Sequence, residues 1–98
     1  MEAIINKDNE KLTVEVSGRL DTLTAPEFES KVEPQLSGIK ELVVDLKDLE
    51  YISSAGLRVL MGFVKIMQDQ GEMKVINPNE VVMDVFSLTG FDSILNIV

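Results

Sequence analysis

The apolar run Leu42-Val43-Val44-Asp45-Leu46, followed closely by Ile52-Ser53-Ser54-Ala55-Gly56-Leu57-Arg58-Val59-Leu60, constrains the fold more than any other part of the chain. A short apolar run bounded by polar residues fits a strand covered on both faces, the environment of a central parallel strand. From Ser54 to about Gln70 the pattern turns helical. Arg58, Gly62, Lys65 and Asp69 form one narrow polar stripe at about 100° per residue. Leu57, Leu60, Val64 and Met67 lie opposite and are expected to face a sheet. Val59, Met61, Phe63 and Ile66 fall on the flanks. A helix this apolar is either deeply buried or partly a docking surface. Burial suffices for Phe63. Val59, Met61 and Ile66 lie nearer the polar stripe and, with Arg58, are candidates for exposure and partner contact, for which adaptable Met is well suited.

Two hydroxyls, Ser53 and Ser54, sit where the strand's exit becomes this helix. The first N–H groups of a helix have no intrahelical partner. A Ser there serves as a cap worth about 1 kcal/mol, and the expected cap is Ser54. The same place suits a phosphate, because free N–H groups and the helix dipole both favour negative charge. The residue types alone leave both uses open.

Ahead of this stretch, Ala3-Ile4-Ile5-Asn6 is a short strand candidate. Lys7-Asp8-Asn9-Glu10 has turn chemistry. Leu12, Val14 and Val16 alternate with polar residues, so a half-buried strand follows and a β-hairpin is expected. Gly18-Arg19-Leu20-Asp21 closes that strand, with Asp21 as a loop acid. Thr24-Ala25-Pro26-Glu27 predicts a helix start with a capping box, and Leu23 with Phe28 a hydrophobic staple. Phe28, Val32 and Leu36 give one apolar stripe, but Pro34 demands a kink or an end near Glu33. After the Ser54 helix, Gly71 marks its end. Met73 and Val75 predict a strand ending near Ile76. Asn77-Pro78-Asn79-Glu80 predicts a helix capped by Asn77 with Pro78 at its first position. Val81, Val82, Val85 and Phe86 form its apolar side, Gly90 its end, and Phe91 to Val98 a final turn and strand.

Ninety-eight residues, 45% of them hydrophobic, suit one soluble domain, residues 1–98, with its own core. The absence of His and Cys excludes a Ser–His hydrolase triad, thiol chemistry and disulfides within this chain. With no imidazole or thiolate to activate a serine, an enzyme is not expected. The formal net charge of −8 argues against direct nucleic-acid binding and against an anionic membrane surface. No apolar stretch reaches spanning length, so no membrane insertion is expected, and the N-terminus lacks the basic start and long apolar run of a signal peptide. A cytoplasmic location is the expectation. Neither a Gly-rich phosphate loop nor GxSxG is present, so no bound nucleotide or other cofactor is expected.

Tyr51-Ile52-Ser53-Ser54-Ala55-Gly56-Leu57-Arg58-Val59-Leu60 resembles the signature of the STAS domain, and more narrowly that of bacterial anti-sigma-factor antagonists. Gly18-Arg19-Leu20-Asp21, Val43-Val44-Asp45-Leu46 and Ser87-Leu88-Thr89-Gly90-Phe91 match three further family motifs in the family's order. The resemblance implies an α/β fold: a small mixed β-sheet of four to five strands with an N-terminal β-hairpin, packed against three main α-helices. It implies a phosphorylated serine two residues before the Gly, which is Ser54 before Gly56, with Ser53 as the alternative acceptor. It places Asp21 and Asp45 close to that serine. It implies as partner an ATP-binding protein that is both serine kinase and anti-sigma factor, bound by the unphosphorylated domain and not by the phosphorylated one. A metal-dependent serine phosphatase resets the switch. Where many members carry Asp before the phosphorylated serine, this chain carries Ser53. Other STAS domains lack the switch and serve as fixed modules of transporters or signalling scaffolds, where Ser54 would only cap its helix.

Overall fold

A computed structural model describes all of Met1–Val98. The expected hairpin is formed by β1 (Glu2–Asp8) and β2 (Lys11–Leu20), antiparallel from Glu2 opposite Ser17 to Asp8 opposite Lys11. Asn9 takes the left-handed conformation that its turn requires, at φ 56°. In β2, Leu12, Val14 and Val16 are buried while the residues between them stay more open, the alternation of a sheet with one covered face.

β3 (Glu41–Ile52) is the central strand, parallel to β2 on one side and to β4 (Glu72–Ile76) on the other. It runs well past the apolar segment that announces it. Its second face is closed only at Val43; Asp45 stays half open, so the expected coverage of both faces holds at one position. Two register shifts against β2, between Glu15 and Ser17 and between Gly18 and Arg19, carry the pairing onward to Leu20 opposite Ile52. Gly18, at φ 82°, supplies the backbone for the second shift. This late pairing delivers the start of the next helix to the end of β2.

The three helices are α1 (Ala25–Val32), α2 (Ser54–Gln68) and α3 (Glu80–Thr89). Pro34 ends α1 as expected: a 3-10 turn over Glu33–Gln35 follows, closed by Leu36 N–H donating to the Glu33 carbonyl. Phe28 of α1 and Phe63 of α2 meet at 5.7 Å between ring centroids. The Gln70 side-chain amide donates to the Leu36 and Ile39 carbonyls, tying the end of α2 to the loop before β3. All three helices contribute to one continuous core with β2, β3 and β4. Val64, expected to face the sheet fully, is half-buried.

Two helix starts differ from their expected form. α1 has no capping box: the Thr24 hydroxyl is used elsewhere, and Glu27 pairs instead with Lys31 at 3.5 Å. The staple is absent because Leu23 is 86% exposed while Phe28 is buried. α3 begins later than Pro78. Asn77 sits at φ 59°, and Asn79 is the cap, its Oδ1 accepting from Val82 N–H at 2.8 Å. Its Nδ2 donates to the Leu49 carbonyl at 2.9 Å, so one side chain caps a helix and holds it to β3. Val82 and Phe86 are buried as expected, but Val81 is exposed. Gly90 closes the helix in the left-handed conformation at φ 80°. After a 3-10 turn at Phe91–Ser93, the chain returns to the sheet edge, where Ile97 bridges Val75. No helix is long and apolar enough to cross a membrane.

Candidate functional site

The ends of β2 and β3 lie side by side, and the two chain exits diverge from there, one into the turn before α1 and one into α2. Ser53 N–H donates to the Leu20 carbonyl at 2.8 Å, which fixes the serine pair against the β2 exit. Ser53, with extended backbone at φ −97° and ψ 177°, occupies the cap position, and its carbonyl accepts from Leu57 N–H at 2.9 Å. Ser54 is the first helical residue and is exposed. The expectation that Ser54 caps the helix is therefore corrected by one residue. Ser53 does not cap with its side chain either. Its Oγ is buried and has no hydrogen-bond partner. The two hydroxyls differ in access: one faces the interior, the other solvent.

Gly56 is fixed by packing. A Cβ there would stand 2.7 Å from Ile52 Cγ1 and 3.0 Å from Leu20 Cβ, both on buried residues. Only Gly lets the first turn of α2 sit this close to the two strand ends.

The turn after β2 is organised by Asp21. Its Oδ1 accepts from Leu23 N–H at 3.0 Å and Thr24 N–H at 3.1 Å. Thr24 Oγ1 accepts from Asp21 N–H at 3.0 Å and directs its single proton to the Arg19 carbonyl, at 2.7 Å, with Asp21 Oδ1 at 3.2 Å beside it. The Asp21 carbonyl accepts from Ala25 N–H at 2.9 Å, joining the turn to α1. The Thr24 backbone amide, first, and then the Leu23 amide, the Thr24 hydroxyl and the Arg19 charge hold the Asp21 carboxyl below its ordinary value, against a smaller opposing effect of desolvation. The Arg19 guanidinium itself lies over the Tyr51 ring, 4.5 Å from its centroid, across the β2–β3 pairing.

An open groove of about 350 Å³ runs between the start of α1 and the first two turns of α2, lined by Thr22, Ala25, Pro26, Glu29, Ala55, Arg58 and Val59. Ser54 is next in sequence to its lining residue Ala55. Arg58 is exposed, as expected. Val59 is not: at 7% exposure it is buried, because it turns toward α1 and forms part of the groove's lining. Met61 and Ile66 are half-buried, and Ile66 packs against the core.

Asp45 is not brought to the serines. It lies opposite Glu15 and Ile76, and its Oδ1 accepts from Lys47 N–H at 3.0 Å and Asn77 Nδ2 at 3.2 Å. At about 3.3 Å per residue, roughly 20 Å of strand contour separates it from Ile52. Its observed work is to hold the strand and the loop after β4. The sequence gives Thr22, Pro26 and Tyr51 no role at the site; what marks them is the pairing of Arg19 with Tyr51 and the meeting of α1 with α2, both long-range. No group of His, Cys, Asp and Glu here is arranged to hold a metal ion.

The sequence matches the STAS domain model over residues 2–98. The chain belongs to the STAS domain family. Among curated proteins it is 33% identical, over 93 residues, to the anti-sigma-B factor antagonist of Bacillus subtilis, covering 93% of this chain and 85% of that one. Among solved structures it resembles the anti-sigma factor antagonist SpoIIAA in its unphosphorylated form, with a TM-score of 0.85 at 16% identity, covering 99% of this chain and 88% of the other. It also resembles the phosphorylated form of the Bacillus cell fate determinant SpoIIAA, with a TM-score of 0.75 at 15% identity, covering 99% and 91%. These two likenesses establish the fold.

Proposed function

We propose that this STAS domain is an anti-sigma-factor antagonist that works by partner switching. Unphosphorylated, it binds an ATP-binding anti-sigma factor that is also a serine kinase, and so frees the sigma factor. Phosphorylation at Ser54 ends that binding, and a metal-dependent phosphatase restores it. The relation to a named anti-sigma-B factor antagonist supports the regulatory class. The observation that carries the finer reading is the contrast between the exposed Ser54 at the first position of α2 and the buried Ser53 Oγ beside it. A kinase can reach the first hydroxyl without unfolding the site; it cannot so reach the second.

Phosphorylation adds about −1.5 to −2 charge at pH 7. The N-terminus of a 15-residue helix accommodates that charge. The domain then keeps its fold, while a partner surface packed on a small neutral hydroxyl meets a bulky dianion. A few kcal/mol of repulsion and desolvation lowers affinity by factors of hundreds, since each 1.4 kcal/mol is tenfold. No refolding is needed.

The test uses tagged wild type and Ser54→Asp as baits in native cells. An ATP-binding serine kinase retained by wild type alone is the expected result, with the melting temperature of the variant unchanged. Equal capture of transporter or scaffold subunits by both baits would assign the domain to a fixed assembly instead.

A further inference from the structure

Arg58 is a cation that the fold leaves without a counter-ion. The chain has two arginines. Arg19 lies over the Tyr51 ring. Arg58 is exposed and belongs to neither ion pair of the protein, which join Lys31 to Glu27 and Lys74 to Glu41. Residues three and four apart on a helix are surface neighbours, with Cβ atoms about 5–6 Å apart. For Arg58 those neighbours are Ser54, Ala55, Met61 and Gly62, all within α2. Only Ser54 among them carries a polar side chain, and it too is exposed. Helical side chains lean toward the N-terminus, so a side chain at position 58 is directed back over the turn that holds Ser54. An anion followed by a cation four residues later is also the favourable order for such a pair. The first turn of α2 has no acidic residue to compete for the guanidinium. From α1, Glu29 lines the same groove as Arg58 without forming an ion pair with it. Asp21, on the turn after β2, commits its Oδ1 to the Leu23 and Thr24 amides.

Resting on the partner-switching reading, we propose that Arg58 is the counter-ion of phosphorylated Ser54: its guanidinium closes onto the phosphate of its own helix. The pair forms only in the modified protein, because a neutral hydroxyl attracts a guanidinium weakly. Arg suits the task, since its planar fork can donate two N–H bonds to one phosphate. The pairing favours the doubly ionised phosphate over the singly ionised one. The second ionisation of phosphoserine lies at about pH 6, so lowering it keeps the phosphate a full dianion at neutral pH. The charge on which the switch depends is then completed within the domain, before any partner arrives. Pairing also draws Arg58 out of the groove that it lines in the unmodified protein. Arg58 is here a positioning residue for the modified serine.

The test needs no kinase. Phosphoserine is placed at position 54 of the full chain during translation, in the Arg58 protein, in Arg58→Gln and in Lys65→Gln. Titration followed by phosphorus NMR at low salt reads the second ionisation of the phosphate. It should lie about half a pH unit higher in Arg58→Gln than in the Arg58 protein, a roughly threefold change in proton affinity. It should not move in Lys65→Gln, whose exposed cation is about three helical turns from Ser54. The difference should shrink in about 1 M salt. The Arg58 Nε–H resonance should also shift between the unmodified and phosphoserine-bearing proteins. Both variants without phosphate should melt with wild type, since neither replaced side chain is in an ion pair. Equal ionisation in the Arg58 and Arg58→Gln proteins overturns the pairing. A shift as large in Lys65→Gln overturns it in favour of overall charge. The switch is read separately, by capture from native cells on the unmodified and phosphoserine-bearing domains. Equal capture overturns the switch; loss of capture with an unshifted ionisation overturns only the role of Arg58.

Discussion

Replacing Gly56 by Ala tests the claim that close approach, not chain flexibility, fixes this residue. Ordinary helix propensity predicts a gain: Gly to Ala inside a helix is worth up to about 1 kcal/mol. The geometry predicts a loss. The new methyl would lie 2.7 Å from Ile52 Cγ1, 3.0 Å from Leu20 Cβ and 3.3 Å from Ile52 Cδ1. Neither Cγ1 nor Cβ is the free end of a side chain, and both residues are buried on paired strands. Relief therefore requires a shift of α2 against the β2 and β3 ends. Overpacking of this kind costs about 1–3 kcal/mol. Set against the full propensity gain, the expected net change is about 0–2 kcal/mol of destabilisation, or a fall in melting temperature of up to about 16 °C for a domain of this size. Gly62 is the internal control. It lies in the same helix, and a Cβ there meets nothing within 4 Å. Gly62→Ala should raise stability by about 0.5–1 kcal/mol. Urea and thermal unfolding of the two variants beside wild type measure both signs. A Gly56→Ala protein as stable as Gly62→Ala would refute the packing argument and leave Gly56 to be explained by partner contact alone.

Asn79→Ala removes both the cap on Val82 N–H and the bond to the Leu49 carbonyl. A loss of about 2 kcal/mol is expected in urea unfolding, and Asn79→Ser, which restores only the cap, should recover about half of it. Asp21 gives a pH dependence of known sign. Its folded pKa is below the ordinary carboxyl value of 3.8, so its contribution to stability is fully present above that value and disappears as pH falls through the lower folded one. The stability gap between wild type and Asp21→Ala, followed by urea midpoints, should be constant from pH 7 to about 5 and narrow only in strong acid.

Much of this was written in local patterns. The alternation of Leu12, Val14 and Val16, the apolar run ending at Leu46 and the polar stripe of α2 each depend on side chains a few residues apart, and each element formed, with β3 running on past Leu46 to Ile52. The misplaced caps have a common cause. Thr24, Ser54 and Asn77 all have a capping residue type, but competing partners decided which oxygen was used. Asp21 and Arg19 took the Thr24 hydroxyl, burial turned Ser53 inward, and Asp45 engaged Asn77 while Asn79 capped. Val59 shows the same limit for exposure, since a helical wheel has no record of α1 covering one flank.

By itself the sequence determined the order of elements, the strand-to-helix passage at the serine pair, the exclusion of imidazole and thiol chemistry, and the family motifs. These follow from residue types and short spacings, which a linear chain carries openly. Only the tertiary structure decided which serine is accessible, that Asp21 holds a turn while Asp45 holds a different one, and that Thr22 and Arg58 line one groove. Those facts depend on the register between β2 and β3 and on the meeting of α1 with α2, contacts between residues about thirty positions apart that no local pattern encodes.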